Sequence, residues 1–206
     1  MHAFDLKVGK LDLKFLYWGL IPKWGKSKGE AKGIWNRTLN ACGETIFEKP
    51  ADKEAALTSR CIIPMDGYFE NHHKFKKTFP YFIFPKKDER FFVGGITSEW
   101  LNPETNKTIS TVSVVTSSAT ELLAEIHNNP TMKQARMPLI MCVNDAVRWM
   151  KSTSKEELET LIKPNRTIEM DAFTVRALSG KVYQENDPSI IEQKYYPELD
   201  EPMTLF

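Results

Sequence analysis

The chain has 206 residues, 41% hydrophobic and 27% charged, enough for one substantial core and incompatible with a disordered or fibrous polymer. Its 28 Lys and Arg offset 27 Asp and Glu to a formal net charge of +1, so a polyanion site must be a local patch and not a global basic field. The longest apolar runs, such as 138–143, fall far short of the ~18 residues of a membrane span. The first residues lack an apolar stretch behind a basic start, and three cysteines without C-x-x-C spacing argue against a disulfide framework or a zinc knuckle. A cytoplasmic protein without metal or other cofactor is the expectation.

Taken in order, 15–21, 61–69, 81–84, 90–96, 109–115 and 136–143 read as strands, being short, rich in β-branched and aromatic residues, and bounded by Gly, Pro, Asn or Lys clusters. Turn chemistry through 101–107 predicts a hairpin over 91–115. The Lys-rich stretch 71–78 reads as a second loop, with His72 and His73 solvated. Ser118-Ala-Thr-Glu121 ahead of Leu122, Leu123 and Ile126 matches a capping box, opening a helix that ends at Ile126 and His127. Ser154-Lys-Glu-Glu157 opens another, which Pro164 stops, and a short helix is expected over 145–150. No repeat or linker interrupts 10–180. The simplest organisation is one α+β domain over 1–206, mostly antiparallel, with a core of about 10–180 and a polar tail over 181–206 that either wraps the surface or is partly mobile.

Nucleotide-binding glycine loops, H-E-x-x-H and G-x-S-x-G are all absent from the sequence. Four segments concentrate residues able to do chemistry. Trp18-Gly-Leu-Ile-Pro-Lys-Trp24 offers aromatic faces for stacking unpaired bases with Lys23 and Lys26 nearby, although tryptophans capping a core are the commoner outcome. Asn40-Ala-Cys-Gly-Glu44 places an amide and a carboxylate about a small-residue turn, a pattern that an ordinary Asx turn also satisfies. In Arg60-Cys-Ile-Ile-Pro-Met-Asp-Gly-Tyr-Phe-Glu70, a carboxylate ends an apolar strand, as a general acid would, or as a solvated strand end would. His127, at a helix C-terminus, is a candidate acid or a simple cap, and Arg136, within Arg136-Met-Pro138, is a candidate phosphate ligand.

Together, in this order and with Gly94-Gly95 between them, these segments resemble the SRAP family, the SOS response-associated peptidase-like proteins that sense abasic sites. The resemblance runs from about 15 to about 150. It implies a mostly β pseudo-barrel with a positively charged groove for single-stranded DNA bearing abasic sites. It further implies capture of the ring-opened aldehyde by an N-terminal cysteine, whose amine and thiol close a thiazolidine crosslink, together with a peptidase activity that removes the protein's own first residue. By match to the motifs, the resemblance makes Asn40, Glu70 and His127 catalytic: Asn40 orients the amine or sugar, Glu70 is the acid–base group and His127 assists at the sugar. Trp18, Trp24 and Arg136 are the DNA contacts expected.

Several positions depart from the family pattern. Residue 2 is His2 where the family has its cysteine, and only 17 residues precede Trp18, so the family nucleophile is absent from this chain. The Met1 amine alone supports at best a reversible imine. Cys42 replaces an arginine, Asn71 replaces a tryptophan, and seven residues (129–135) intervene between Asn128 and Arg136. Two readings follow: a chain shortened ahead of an otherwise intact abasic-site scaffold, or a diverged module that binds single-stranded nucleic acid without covalent chemistry.

Overall fold

The computed structural model describes residues 1–7, 10–87, 90–164, 168–178 and 187–200. The first third of the chain carries β1 (His2–Lys7), β2 (Lys10–Phe15), β3 (Tyr17–Trp18), α1 (Lys28–Trp35), β4 (Asn40–Cys42) and α2 (Lys53–Thr58). The centre carries β5 (Arg60–Met65), β6 (Tyr68–Lys74), β7 (Lys77–Pro85), β8 (Phe91–Asn102) and β9 (Lys107–Ser118). There follow α3 (Glu121–Ile126), β10 (Arg136–Pro138), β11 (Ile140–Met141), α4 (Val143–Lys151), α5 (Lys155–Ile162) and β12 (Met170–Thr174). Among the described residues, nine strands form one curled, half-barrel sheet along the path β10-β9-β8-β5-β1-β2, with β11 on β8 and both β3 and β4 on β9. A smaller sheet runs β12-β7-β6. The expected α+β fold, mostly antiparallel with a few short helices, is what the chain adopts; only β3 and β4 run parallel to their partner.

The period of two along each central strand sorts its side chains into two cores. Ile62, Ile96 and Val115 point to one face, where they meet Trp149 of α4, Leu158 of α5 and Ala56 of α2. Cys61, Ile63, Val112 and Val114 point to the other, against Leu123 and Ile126 of α3 and Ile83 of the smaller sheet. The helices are too short to be stable alone and depend on these apolar faces.

Arg60 ties the first core together. Its guanidinium is buried and donates to Trp149 O at 2.6 Å, to Ala56 O and Leu57 O at 2.7 Å each, and to Ser152 O. These are C-terminal carbonyls of α2 and α4, which have no partner within their own helices.

The strand expectations need several corrections. The stretch 61–69 is two strands, because Asp66 and Gly67 turn the chain between β5 and β6. The 71–78 loop is in fact the β6–β7 hairpin, its tip made by Phe75 and Lys76 at φ of 52° and 59°, so His72 and His73 lie in a strand and are only half exposed. The β1–β2 hairpin and α1 carried no sequence signal that was read. Ser118 ends β9, and the N-cap of α3 is Thr120, without a side-chain cap. The second capping expectation holds, with the Glu157 amide donating to Ser154 Oγ at 3.3 Å. Within the tail, 187–200 lies on the smaller sheet, where Tyr196 donates to Val175 O and Lys74 to Leu199 O, each at 2.8 Å; the expectation for 181–186 and 201–206 falls outside the described residues.

Replacing Arg60 with Met should leave these buried carbonyls unpaired and cost about 3 kcal/mol, read as a lower urea midpoint at unchanged m-value. An unchanged midpoint would show that the clamp contributes nothing.

Candidate functional site

Three short strands pair with β9, β3 and β4 along its outer edge and β10 on the edge that β8 leaves beyond Val114, and each delivers a candidate residue. Trp18 lies opposite Val112, Asn40 opposite Val114 and Arg136 opposite Ser118. Directly opposed residues share a face, so the side chains of Trp18, Asn40 and Cys42 point to the same side as Val112, Val114 and Thr116. That side faces β6 and α3.

Trp18 is held in a fixed pose. Its indole N–H donates to Leu39 O at 2.8 Å, while the indole of Trp35 donates to Trp18 O. The next residue must be glycine: Gly19 has φ of +117°, and a Cβ there would lie 1.8 Å from the Trp35 ring. With its N–H occupied, Trp18 leaves a ring 47% exposed as an open apolar face, which overturns the core assignment that is commoner for tryptophan. Trp100 and Trp149 are the ones in the core.

Across from this row stand Glu70 on β6 and His127 at the C-terminus of α3. His127 Nδ1 lies 3.0 Å from Glu70 Oε2, within ion-pair distance but off the line of a hydrogen bond, so this buried nitrogen has no hydrogen-bond partner. Glu70 Oε1 accepts from the Asn71 amide at 2.8 Å, which fixes the carboxylate. Tyr68, two residues earlier on the same face of β6, is half-buried; burial first, and the Glu70 charge second, push its phenol upward so that it stays protonated.

These groups line one open cavity of about 400 Å³ that includes Trp18, Asn40, Glu70, His127 and Arg136. Five of the six residues expected from sequence are therefore together. Trp24 is not among them: it lies in a separate shallow cleft with Pro22, Pro50 and Glu54. Met1 and Cys42, noted in the sequence as departures from the family pattern, share the cavity, as do Lys49, Tyr68 and Thr116, which sequence reading missed. For Tyr68 the signal was present, since it stands two residues from Glu70 on a strand.

Arg136 is engaged more deeply than a surface phosphate ligand. It donates to Glu44 Oε2 at 2.6 Å, to Thr116 O at 2.7 Å and to Thr116 Oγ1 at 3.0 Å. Glu44 also accepts from Ser118 Oγ at 3.0 Å and the Cys42 thiol at 3.1 Å. Burial pushes the Glu44 carboxyl up, but the Arg136 hydrogen bond, Glu44's own backbone amide and the Cys42 thiol outweigh it and bring the group down to about 2. Arg136 therefore fixes the junction of β4, β9 and β10 and at the same time lines the cavity.

A family model described as SOS response associated peptidase (SRAP) matches residues 5–182. The chain belongs to the SRAP family. Among its relatives, the abasic site processing protein YoqW of Bacillus subtilis (strain 168) is 32% identical over 180 residues, covering 86% of this chain and 75% of YoqW. The abasic site processing protein HMCES of Gallus gallus is 26% identical over 173 residues, covering 73% of this chain and 49% of HMCES. A crystal structure of a protein from Bacteroides thetaiotaomicron superposes with a TM-score of 0.82 at 33% identity, covering 95% of this chain and 82% of that one. The SRAP assignment covers both the β9 row and the Glu70–His127 pair. No helix among the described residues is long and apolar enough to cross a membrane.

Because the folded-state value of Glu44 lies below its ordinary 4.5, its contribution to stability is full above that pH and lost as pH falls toward about 2. Glu44→Gln should therefore melt below the wild type at pH 7, with the gap closing between pH 4.5 and 2. A gap that does not change with pH would remove the charge from the account.

Proposed function

We propose that this chain is an abasic-site processing domain that takes a single-stranded DNA abasic sugar into the cavity between the β9 row and the Glu70–His127 pair. The observation that carries the reading is that pair: a fixed carboxylate and an unpartnered imidazole nitrogen 3.0 Å apart, at one wall of a cavity lined also by an amide and an open indole face. The family membership and the names of the relatives support the same substrate class.

An abasic sugar rests mainly as a cyclic hemiacetal, and its aldehyde appears only when the ring opens. Opening requires a base to take the proton from the anomeric hydroxyl and an acid to give one to the ring oxygen as the carbon–oxygen bond breaks. A carboxylate and an imidazolium side by side supply both, and the electron pair of the O–H bond becomes the new carbonyl. Glu70 takes the hydroxyl proton; His127 protonates the ring oxygen. The Asn40 amide holds the sugar hydroxyl or carbonyl. Trp18 stacks on the base next to the gap, where a missing base leaves its neighbour's face uncovered. Lys49 and Arg136, both lining the cavity, meet the phosphates.

The reading claims recognition and ring opening for these residues.

Fluorescence anisotropy with matched intact, abasic and tetrahydrofuran-gap oligonucleotides tests this directly. The abasic strand should bind at least tenfold tighter than the intact one, and Trp18→Ala should weaken every strand by about 1–3 kcal/mol. Glu70→Gln should leave binding of the tetrahydrofuran strand unchanged and slow aldehyde release, followed by hydroxylamine capture, by about 100-fold. Equal affinity for intact and abasic strands would instead assign the chain as a general single-strand binder.

A further inference from the structure

β6 is an edge strand: in the smaller sheet it pairs only with β7 among the described residues, so alternate residues on its outer side present backbone groups with no ladder partner. At His73 both groups are nevertheless satisfied, and by a single side chain. The Asn128 carboxamide accepts from His73 N–H at 2.6 Å through Oδ1 and donates to His73 O at 2.8 Å through Nδ2. A carboxamide carries the same donor and acceptor pair as a peptide unit, so Asn128 acts as a one-residue strand laid along the edge of β6.

This contact bears on the reacting pair, because Asn128 directly follows His127 and His73 stands three residues after Glu70 on the same strand. A second tie runs parallel to it: His72 Nδ1 lies 3.0 Å from Glu125 O in the last turn of α3. Glu70 and His72 share a face of β6, so that face meets the end of α3 at two points, and the strand's edge meets it at a third.

The helix cannot place His127 unaided. It has six residues and no side-chain N-cap, it ends at His127, and the chain turns at once, with the Asn128 amide donating to Ile126 O at 2.9 Å. Leu123 and Ile126 fix its depth in the core but leave its rotation about that apolar contact to other groups. The Glu70–His127 approach at 3.0 Å lacks hydrogen-bond geometry, so it does not by itself fix the orientation of the imidazole.

We propose that Asn128 is the positioning residue of the site: by pairing with the His73 backbone it latches the end of α3 to β6 and sets the separation of His127 from Glu70. Its place in catalysis rests on the function proposed above, but the latch can be measured without that function. In ¹³C-labelled protein, Glu70→Gln should move the His127 Cε1–H resonance through the close contact. The same substitution made in an Asn128→Ala background should move it by less than half as much, while the His2 resonance, whose ring packs on Phe15, stays in place in every variant. Asn128→Asp keeps the acceptor and loses the donor, so it should give an intermediate movement, and it decides the matter if Asn128→Ala does not fold. A full-sized movement in either background, or none in the otherwise unaltered protein, would overturn the proposal. The aldehyde-release assay forms a separate arm, in which Asn128→Ala should lower the rate at least tenfold with unchanged affinity for the tetrahydrofuran strand. A collapsed NMR coupling in a protein that releases no aldehyde would leave the latch established and the functional reading refuted.

Discussion

The structure depends on how the outer edge of β9 is satisfied. This strand is 12 residues long and buried through much of its length, so every backbone donor and acceptor on it must be met by protein. β8 meets one edge along most of its length. The other edge is met by β3 and β4, and β10 takes over the first edge beyond Val114, three fragments drawn from separate parts of the chain. None of the three is long enough to be a stable strand by itself; each exists because β9 supplies a ready ladder. Since pairing fixes register and register fixes which way a side chain points, the same hydrogen bonds that bury β9 also align Trp18, Asn40 and Cys42 above Val112, Val114 and Thr116.

The opposite wall has a different origin. Glu70 comes from the smaller sheet and His127 from the end of a short helix, and no ladder joins them. Here apolar packing sets the depth and a few polar ties set the rotation. The wall is built of side-chain contacts where the β9 row is built of backbone pairing.

This difference explains what could be read from sequence. The long central strands were legible because their alternation is imposed by burial on two faces, and Ile62 against Ile63 or Val114 against Val115 shows it residue by residue. The hairpin of β8 and β9 was legible from its turn residues. The β6–β7 hairpin was not, because a run of His, Lys and Asn looks like a loop until the aromatic residues of β7 and the tail are known to cover one side of it. Nor was the cap of α3, where Ser118 offered a better capping pattern than Thr120 but was already committed to pairing with Arg136 on β10. Five of the candidate site residues were identified because their neighbours repeat a family pattern, not because any one of them is distinctive. Thr116 had no such signal: a threonine in a β-branched strand is ordinary, and only the arrival of Arg136 at both its hydroxyl and its carbonyl marks it.

That the two walls are held by different kinds of force has a consequence for how such a protein can change over generations. Substitutions that loosen the smaller sheet or the end of α3 disturb the Glu70–His127 contact and leave the wall that carries Trp18 and Asn40 as it was. The reverse is much harder, because disturbing β3 or β4 uncovers the edge of the central strand and endangers the whole fold. Drift in this architecture is therefore lopsided: the Glu70–His127 wall is the part that can be shed, and the Trp18–Asn40 wall is the one that persists.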